Sequence, residues 1–495
     1  MIIFNGYKCL LVFSILCYLT RPVLSDCLNA PIENFDYFPN KIAYHTEAGR
    51  RDFDVTYHNT YIVVTTKKFL ETYVLYCTAT RPADAPVVTT SYIQVPVNNV
   101  AVYDSSIVSF LEILGEELKL KYVLDKKTIT SPCLQKHNDL YELFNAANTT
   151  LVAGTDVIFQ SQPSITGGKF VSIAIDEETS ALKGAEWIKF ISLFFNKTDV
   201  AKEAYDKIQQ NYLCHVDNVS KVPKKSKKSI AWVSLESDNT FTIKQTSFYS
   251  NITMDAAADP LISITSNVEV EELHKELHDA FIVIDLSELT PPNDTLDSWK
   301  RLFGYQTSGV TLPNFITQKR LFRTRKLLNN MAHDDWDETS PSRPDLVIQD
   351  LLAIQYPSYQ KDYYVRWFDK FAETGDVKIL TGDQCDENTF GLPKNDFGTC
   401  VPKQFTGDGK DIDGNKVPVK AKDGDNDNND NDENKKKVKP GFIIAGALSG
   451  AFVIFGLGTW SLIVARRKYR ERFVKLRDEH EIQSKGVKEV NEINK

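Results

Sequence analysis

Twenty-five consecutive residues near the carboxyl end, Gly441 to Ala465, carry no charged side chain. Pro440 precedes them and Arg466-Arg467-Lys468 follows. As a helix the run would reach about 37 Å at ~1.5 Å per residue, enough to cross a hydrocarbon core of about 30 Å with some tilt. Only Ser449, Thr459 and Ser461 within it have clearly polar side chains. A buried helix of a soluble protein would rarely avoid charge for so long, so residues 441–465 are expected to span a membrane. The amino end reads as a secretory signal: Lys8 is followed by an apolar run from Cys9 to Leu19, and Val23-Leu24-Ser25 offers small-residue cleavage chemistry. A signal peptide over 1–25 and one late span give a single-pass type I topology at the plasma membrane, with residues 26–440 outside. The basic residues after the span agree with positive-inside. Lys435, Lys436, Lys437 and Lys439 lie on the other side, and the signal decides the orientation. A lipid-anchor signal would end the chain with its hydrophobic tail, whereas here thirty mostly polar residues follow.

The net charge is −8. The first 465 residues hold −12 of it, and the basic tail 466–495 is +4. That balance excludes nucleic acid as the main partner, because such binding needs a positive face to release counterions. The expected exterior part has six cysteines: Cys27, Cys77, Cys133, Cys214, Cys385 and Cys400. An even number in an oxidising compartment fits three disulfides. Cys385 with Cys400, close in sequence and separated by turn residues, is the one pairing expected. Asn-x-Ser/Thr acceptors stand at Asn148, Asn196, Asn218, Asn251 and Asn293, all in the exterior part.

Along that part the hydrophobic period changes. Residues 41–104 are rich in β-branched and aromatic residues, as in Phe53-Asp-Val-Thr-Tyr and Thr72-Tyr-Val-Leu-Tyr. Ser105 to Glu117 then places Ile107, Phe110, Leu111 and Leu114 on one helical face. A helix over 134–147 and strands at Thr155 to Phe159 and Phe170 to Ile175 are expected next. Residues 181–213 form the longest helical pattern, broken locally near Asn196. A second series follows the Lys-rich loop 221–228: a strand from Ser229, helices over 251–258 and 268–278, a buried strand at Ala280 to Leu286 and a helix over 345–354. Strands alternating with helices imply an α/β fold with mostly parallel sheet. The expected divisions are an N-terminal α/β lobe over 26–180, a connecting helix over 181–220, a C-terminal α/β lobe over 221–400 and a disordered stalk over 401–440. Asp423 to Glu433 contains only Asp, Asn, Gly and Glu and cannot bury a core.

Three stretches carry a resemblance. They are Ile93-Gln-Val-Pro-Val-Asn-Asn-Val-Ala-Val-Tyr-Asp-Ser-Ser; Gly184-Ala-Glu-Trp-Ile-Lys-Phe leading into Ala201 to Tyr212; and Asp334-Asp-Trp-Asp-Glu-Thr with Arg343-Pro-Asp-Leu-Val-Ile-Gln-Asp-Leu-Leu-Ala-Ile-Gln-Tyr-Pro. In this order and spacing, residues 41–380 resemble bacterial periplasmic solute-binding proteins of ABC importers, of the iron–siderophore and vitamin B12 class. The resemblance implies two Rossmann-like lobes joined by a long helix, with a small ligand, such as a metal chelate, held between them. A separate transporter or signalling partner is implied as well. Lys183-Gly184 stands where the family has Gly-Arg, and Asp26 before Cys27 does not fit bacterial lipid anchoring. A late span, six cysteines and five glycan acceptors suit a eukaryotic version.

In open α/β sheets ligands meet the carboxyl ends of strands and the following helix N-termini. That rule nominates Tyr103, Asp104, Ser105 and Ser106, either as a helix cap or as cleft lining. It also nominates Gln160, Ser161 and Gln162, which a plain loop satisfies equally, and in the second lobe Asn239, Thr240 and Phe241, which a plain turn satisfies at least as well. Asp335, Trp336 and Glu338 of the third stretch either hold a ring-bearing or cationic ligand or are packing and surface residues. His274 and His278 lack the zincin arrangement, and acidic neighbours make them a solvated face. Nucleophile-elbow, kinase and phosphate-loop patterns are absent. Neither enzyme activity nor a cofactor is therefore expected. The leading expectation is a solute receptor; the alternative is a non-catalytic adhesion or cell-wall protein on the same scaffold.

Overall fold

The computed structural model describes residues 35–407, apart from 45–50, 87, 176–179, 237–238, 245, 262–267, 289–294, 307–308, 372–376 and 386–397. The signal segment, the span, the tail and Asn293 lie outside the described residues. Among the described residues no helix is long and apolar enough to cross a membrane.

The β-rich start forms a four-stranded sheet of β1 (Phe53–Tyr57), β2 (Tyr61–Thr66), β3 (Thr72–Tyr76) and β4 (Ser91–Gln94). The first three pair antiparallel, and β4 joins β3 in parallel. A second sheet follows, wholly parallel, in the order β7-β6-β5-β8-β9. Its strands are β5 (Val100–Val102), β6 (Leu120–Val123), β7 (Glu142–Leu143), β8 (Val157–Gln160) and β9 (Phe170–Ser172). Helices α1 (Ser106–Leu114), α2 (Pro132–Lys136) and α3 (Thr149–Gly154) connect them. Side chains alternate across this sheet as a period of two requires: Val100, Val102, Val157 and Phe159 enter the main core, while Ala101 and Ile158 face a smaller cluster behind. The helix expected over 134–147 is much shorter. It ends at Lys136, and Glu142–Leu143 pairs with β6 instead.

Two helices then cross to the second half: α4 (Ala181–Ser192) and α5 (Thr198–Val219). The single connecting helix expected over 181–220 is thus a packed pair. Asn196, with φ 56°, sits in the break, a left-handed position that asparagine tolerates better than most residues. The 22-residue α5 is the real rod, about 33 Å long at ~1.5 Å per residue. Its first half puts Ala201, Ala204, Tyr205 and Ile208 into the N-terminal core, and its second half puts Tyr212 and Val219 into the C-terminal core.

The second half centres on a mixed sheet ordered β11-β10-β13-β14-β16, with β12 also on β10. Its strands are β10 (Ser229–Leu235), β11 (Phe241–Ile243), β12 (Asp259–Pro260), β13 (Ile282–Asp285), β14 (Leu321–Arg323) and β16 (Asp369–Lys370). A small parallel pair, β15 (Leu327–Asn329) with β17 (Lys378–Leu380), stands beside it. The helices are α6 (Ser247–Asp255), α7 (Val270–Leu277), α8 (Leu296–Leu302), α9 (Asn314–Thr317), α10 (Asp335–Thr339) and α11 (Pro344–Gln355). β10 again alternates, Ile230 and Trp232 to one core and Ala231 and Val233 to the other. The result is a mixed α/β fold with parallel and mixed sheets.

The expected Cys385–Cys400 disulfide does not form. Cys133 pairs with Cys385 (S–S 2.09 Å) and Cys214 with Cys400 (S–S 2.02 Å). The reason is packing: α2 lies against the turn at Gly382–Gln384, and α5 lies beside the chain after residue 397, so partners distant in sequence meet. Cys77 is disulfide-bonded as well. Residues 401–407, read as the start of a stalk, lie against the body. Phe405 packs on Tyr356 and Tyr359, and the Asn218 side chain holds the Lys403 and Val401 backbones.

Candidate functional site

A cavity of about 520 Å³ opens between the two halves. One wall comes from the carboxyl ends of parallel strands. Tyr103, Asp104, Ser105 and Ser106 follow β5, Leu124 and Asp125 follow β6, and Ile175 follows β9. β5 is where strand order reverses, with β6 on one side and β8 on the other. Diverging connections leave a crevice at such a switch point. The facing wall comes from Lys244 and Thr246 after β11, Phe248 and Tyr249 on α6, Glu288 after β13, His333 after β15, and Trp336 and Asp337 on α10.

Local bonding fixes the first wall. Tyr103 N–H donates to the Phe159 carbonyl at 2.9 Å. Asp104 accepts the Ser161 N–H at 2.7 Å, so its carboxylate ties two loops together. Ser105 occupies the N-cap position of α1, but its side chain makes no capping bond. Capping by the Asp104 or Ser105 side chain, the plain alternative for this stretch, is therefore not what the structure shows.

The other nominated residues fall elsewhere. Gln160 is buried and scaffolds its own loop, donating to the Ile165 carbonyl at 2.6 Å and to Ser172 Oγ at 3.1 Å. Ser161 is buried, Gln162 is exposed, and neither lines the cavity. Asn239 (φ 63°) and Thr240 lead from the β10–β11 turn into β11, the Thr240 carbonyl accepting the Glu236 N–H, and Phe241 is buried 4.8 Å from the Phe303 ring centroid. Because β11 folds back antiparallel instead of leading into a helix, the lining on this side comes later, at Lys244 to Tyr249.

The third stretch splits between two tasks. Trp336 reaches the cavity but is only 3% exposed, its ring wedged between Trp232 (5.7 Å) and Trp367 (5.5 Å). Asp335 and Glu338 point away from the cavity and clasp the first half. Glu338 accepts the backbone N–H groups of Thr130 (2.7 Å) and Ser131 (3.0 Å). Asp335 accepts Thr130 Oγ1 at 2.9 Å and Trp367 Nε1 at 2.9 Å. A ligand role for these two carboxylates is displaced by this bonding. Burial, with the nearby Glu112 charge next, raises Glu338 well above the ordinary carboxyl range. Burial likewise raises Glu112, which accepts the Ser131 hydroxyl, to about 8.

Sequence reasoning missed Asp125, Lys244, Phe248, Tyr249, Glu288, His333 and Asp337. Applying the strand-end rule to β6 and β13 would have reached Asp125 and Glu288. Burial holds His333 below the ordinary imidazole range.

The glycan acceptors separate by exposure. Asn148 caps α3 through Oδ1 and is exposed, Asn196 is exposed, and Asn251 is half-buried. Asn218 is 3% exposed, with Nδ2 donating to Tyr359 Oη (2.9 Å) and the Val401 carbonyl (3.0 Å). That nitrogen has no room for a sugar, so Asn218 is corrected from acceptor to structural residue.

No family model matches the chain, and no curated protein matches it. Solved structures similar to part of it include bacterial periplasmic solute-binding proteins. A periplasmic heme-binding protein from Pseudomonas aeruginosa is 16% identical, with a TM-score of 0.43 over 56% of this chain and 100% of that one. Helicobacter pylori CeuE with Ni(II) bound is 15% identical, with a TM-score of 0.41 over 60% of this chain and 94% of that one. A periplasmic binding protein from Veillonella parvula is 10% identical, with a TM-score of 0.41 over 52% and 90%.

Proposed function

We propose that the chain is a cell-surface solute receptor, holding a small ligand between two α/β lobes, with residues 26–440 outside a plasma membrane crossed once by residues 441–465. The observation that carries this reading is the cavity of about 520 Å³, lined from both halves and placed at strand carboxyl ends beside a switch point. The volume falls within the range of about 300–1,000 Å³ usual for small-molecule sites. Its walls are preformed, since α5 and the Asp335–Glu338 clasp fix both halves. The bound solute is passed to a separate transporter or reported through the span.

Native mass spectrometry of the purified full chain tests the reading. A small molecule retained in the gas phase, and lost in a Tyr103→Ala/Phe248→Ala variant whose circular dichroism spectrum matches the parent's, is expected. A chain that retains nothing, and whose melting temperature no solute panel moves, removes the receptor reading in favour of an adhesive role.

A further inference from the structure

The chemistry of the lining narrows what the solute can be. Four carboxylates border the cavity: Asp104, Asp125, Glu288 and Asp337. They come from four separate connections. Among the described lining residues Lys244 is the only lysine or arginine, and it leans toward Glu236 at 3.5 Å. His333, kept below its usual range by burial, adds no charge at neutral pH. The cavity is therefore net negative.

Three partly exposed rings also line it, Tyr103, Phe248 and Tyr249, and the buried Trp336 reaches it as well. Ring faces attract cations, and they do so more strongly when water is excluded. A bare metal ion is a poor fit, because among the described residues no three His, Cys, Asp or Glu side chains converge as ligands. The charge is spread over a space the size of an organic molecule. An anionic chelate entering here would lose its hydration against four carboxylates, with no guanidinium among the described lining residues to meet it.

We propose that the solute is an organic cation, an amine or quaternary ammonium group carried on an apolar or ring-bearing body. This rests on the receptor reading. The aromatic side chains take the body, and the carboxylates hold the charged end.

Calorimetry and thermal shift on the full chain test it with two panels: tryptamine, choline and spermidine as cations, and indole-3-propionate, citrate and inorganic phosphate as anions. Cations are expected to bind and anions not. Glu288→Gln and Asp337→Asn alter exposed side chains, so the fold is retained. Each is expected to weaken cation binding roughly three- to tenfold, with weaker binding at higher salt. Binding of anions without cations overturns the charge assignment and leaves the receptor reading standing. So does unchanged cation affinity in both variants. Silence in both panels, with nothing retained in native mass spectrometry, overturns both.

Discussion

Single residues here hold the halves together more than they touch the cavity. Glu338 satisfies two buried backbone N–H groups of the opposite half. Replacing it with alanine strands both donors at a cost of roughly 2–4 kcal/mol, whereas Glu338→Gln keeps an acceptor and costs less. Urea unfolding measures the difference, and equal midpoints for the two variants would contradict the role. The same corner sets a pH dependence. Glu112, raised to about 8 mainly by burial, keeps its proton in the folded chain, while the unfolded chain releases it near the ordinary glutamate value of 4.5. A carboxyl raised on folding stabilises below its unfolded pKa, and that stability is lost as pH rises through the folded value. Glu117, raised to about 7, acts in the same direction. His215, lowered to about 4 by burial, acts oppositely, and its effect is complete by about pH 6.5. Melting temperature should therefore fall between pH 6.5 and 8, and Glu112→Gln should flatten the slope; a rising melting temperature across that window would refute this. A third residue-level outcome concerns Asn218: peptide mapping should find glycan at Asn148 or Asn196 and none at Asn218.

Among elements, α5 is the one whose loss reaches furthest, because its two ends belong to two cores. Gln210 is exposed in mid-helix, so Gln210→Pro removes no core packing. It nevertheless breaks the backbone ladder at a cost of about 3 kcal/mol or more. Circular dichroism should show one cooperative transition becoming two as the cores uncouple. The rod, α1, α11 and the buried strands were legible because their apolar periods are strong. The β10–β11 hairpin was not: it has no two-residue turn signal, and the strand after it is only Phe241–Ile243. The short α2 was misread because Tyr141 and Phe144 continue a helical spacing, yet the edge of β6 was open to pair with Glu142–Leu143. Tyr103 to Ser106 were found from the strand-end rule alone. Phe248 and Tyr249 were hidden by the same hairpin, which moved the lining past the first loop. Asp335 and Glu338 were misassigned because a carboxylate in sequence does not reveal which half it faces.

At the scale of the molecule, the halves are closed by chain connections on more than one side. Besides α5, the Cys133–Cys385 bridge links them, joining α2 of the first half to the chain beyond β17 of the second. Removing it with Cys133→Ser/Cys385→Ser should cost roughly 3–5 kcal/mol and speed solute release, both readable from denaturation midpoints and dissociation rates. Unchanged release would show that α5 and the clasp alone hold the cavity shut. The bonding pattern around Asn218 and Cys400 has a mechanical meaning too. Cys400 is welded to Cys214 near the end of α5, and Lys403 and Phe405 are hooked to Asn218 one turn further on. A tug on the chain beyond Gly407 would therefore be delivered to the rod shared by both cores, and the outermost strand β17 would be spared the load.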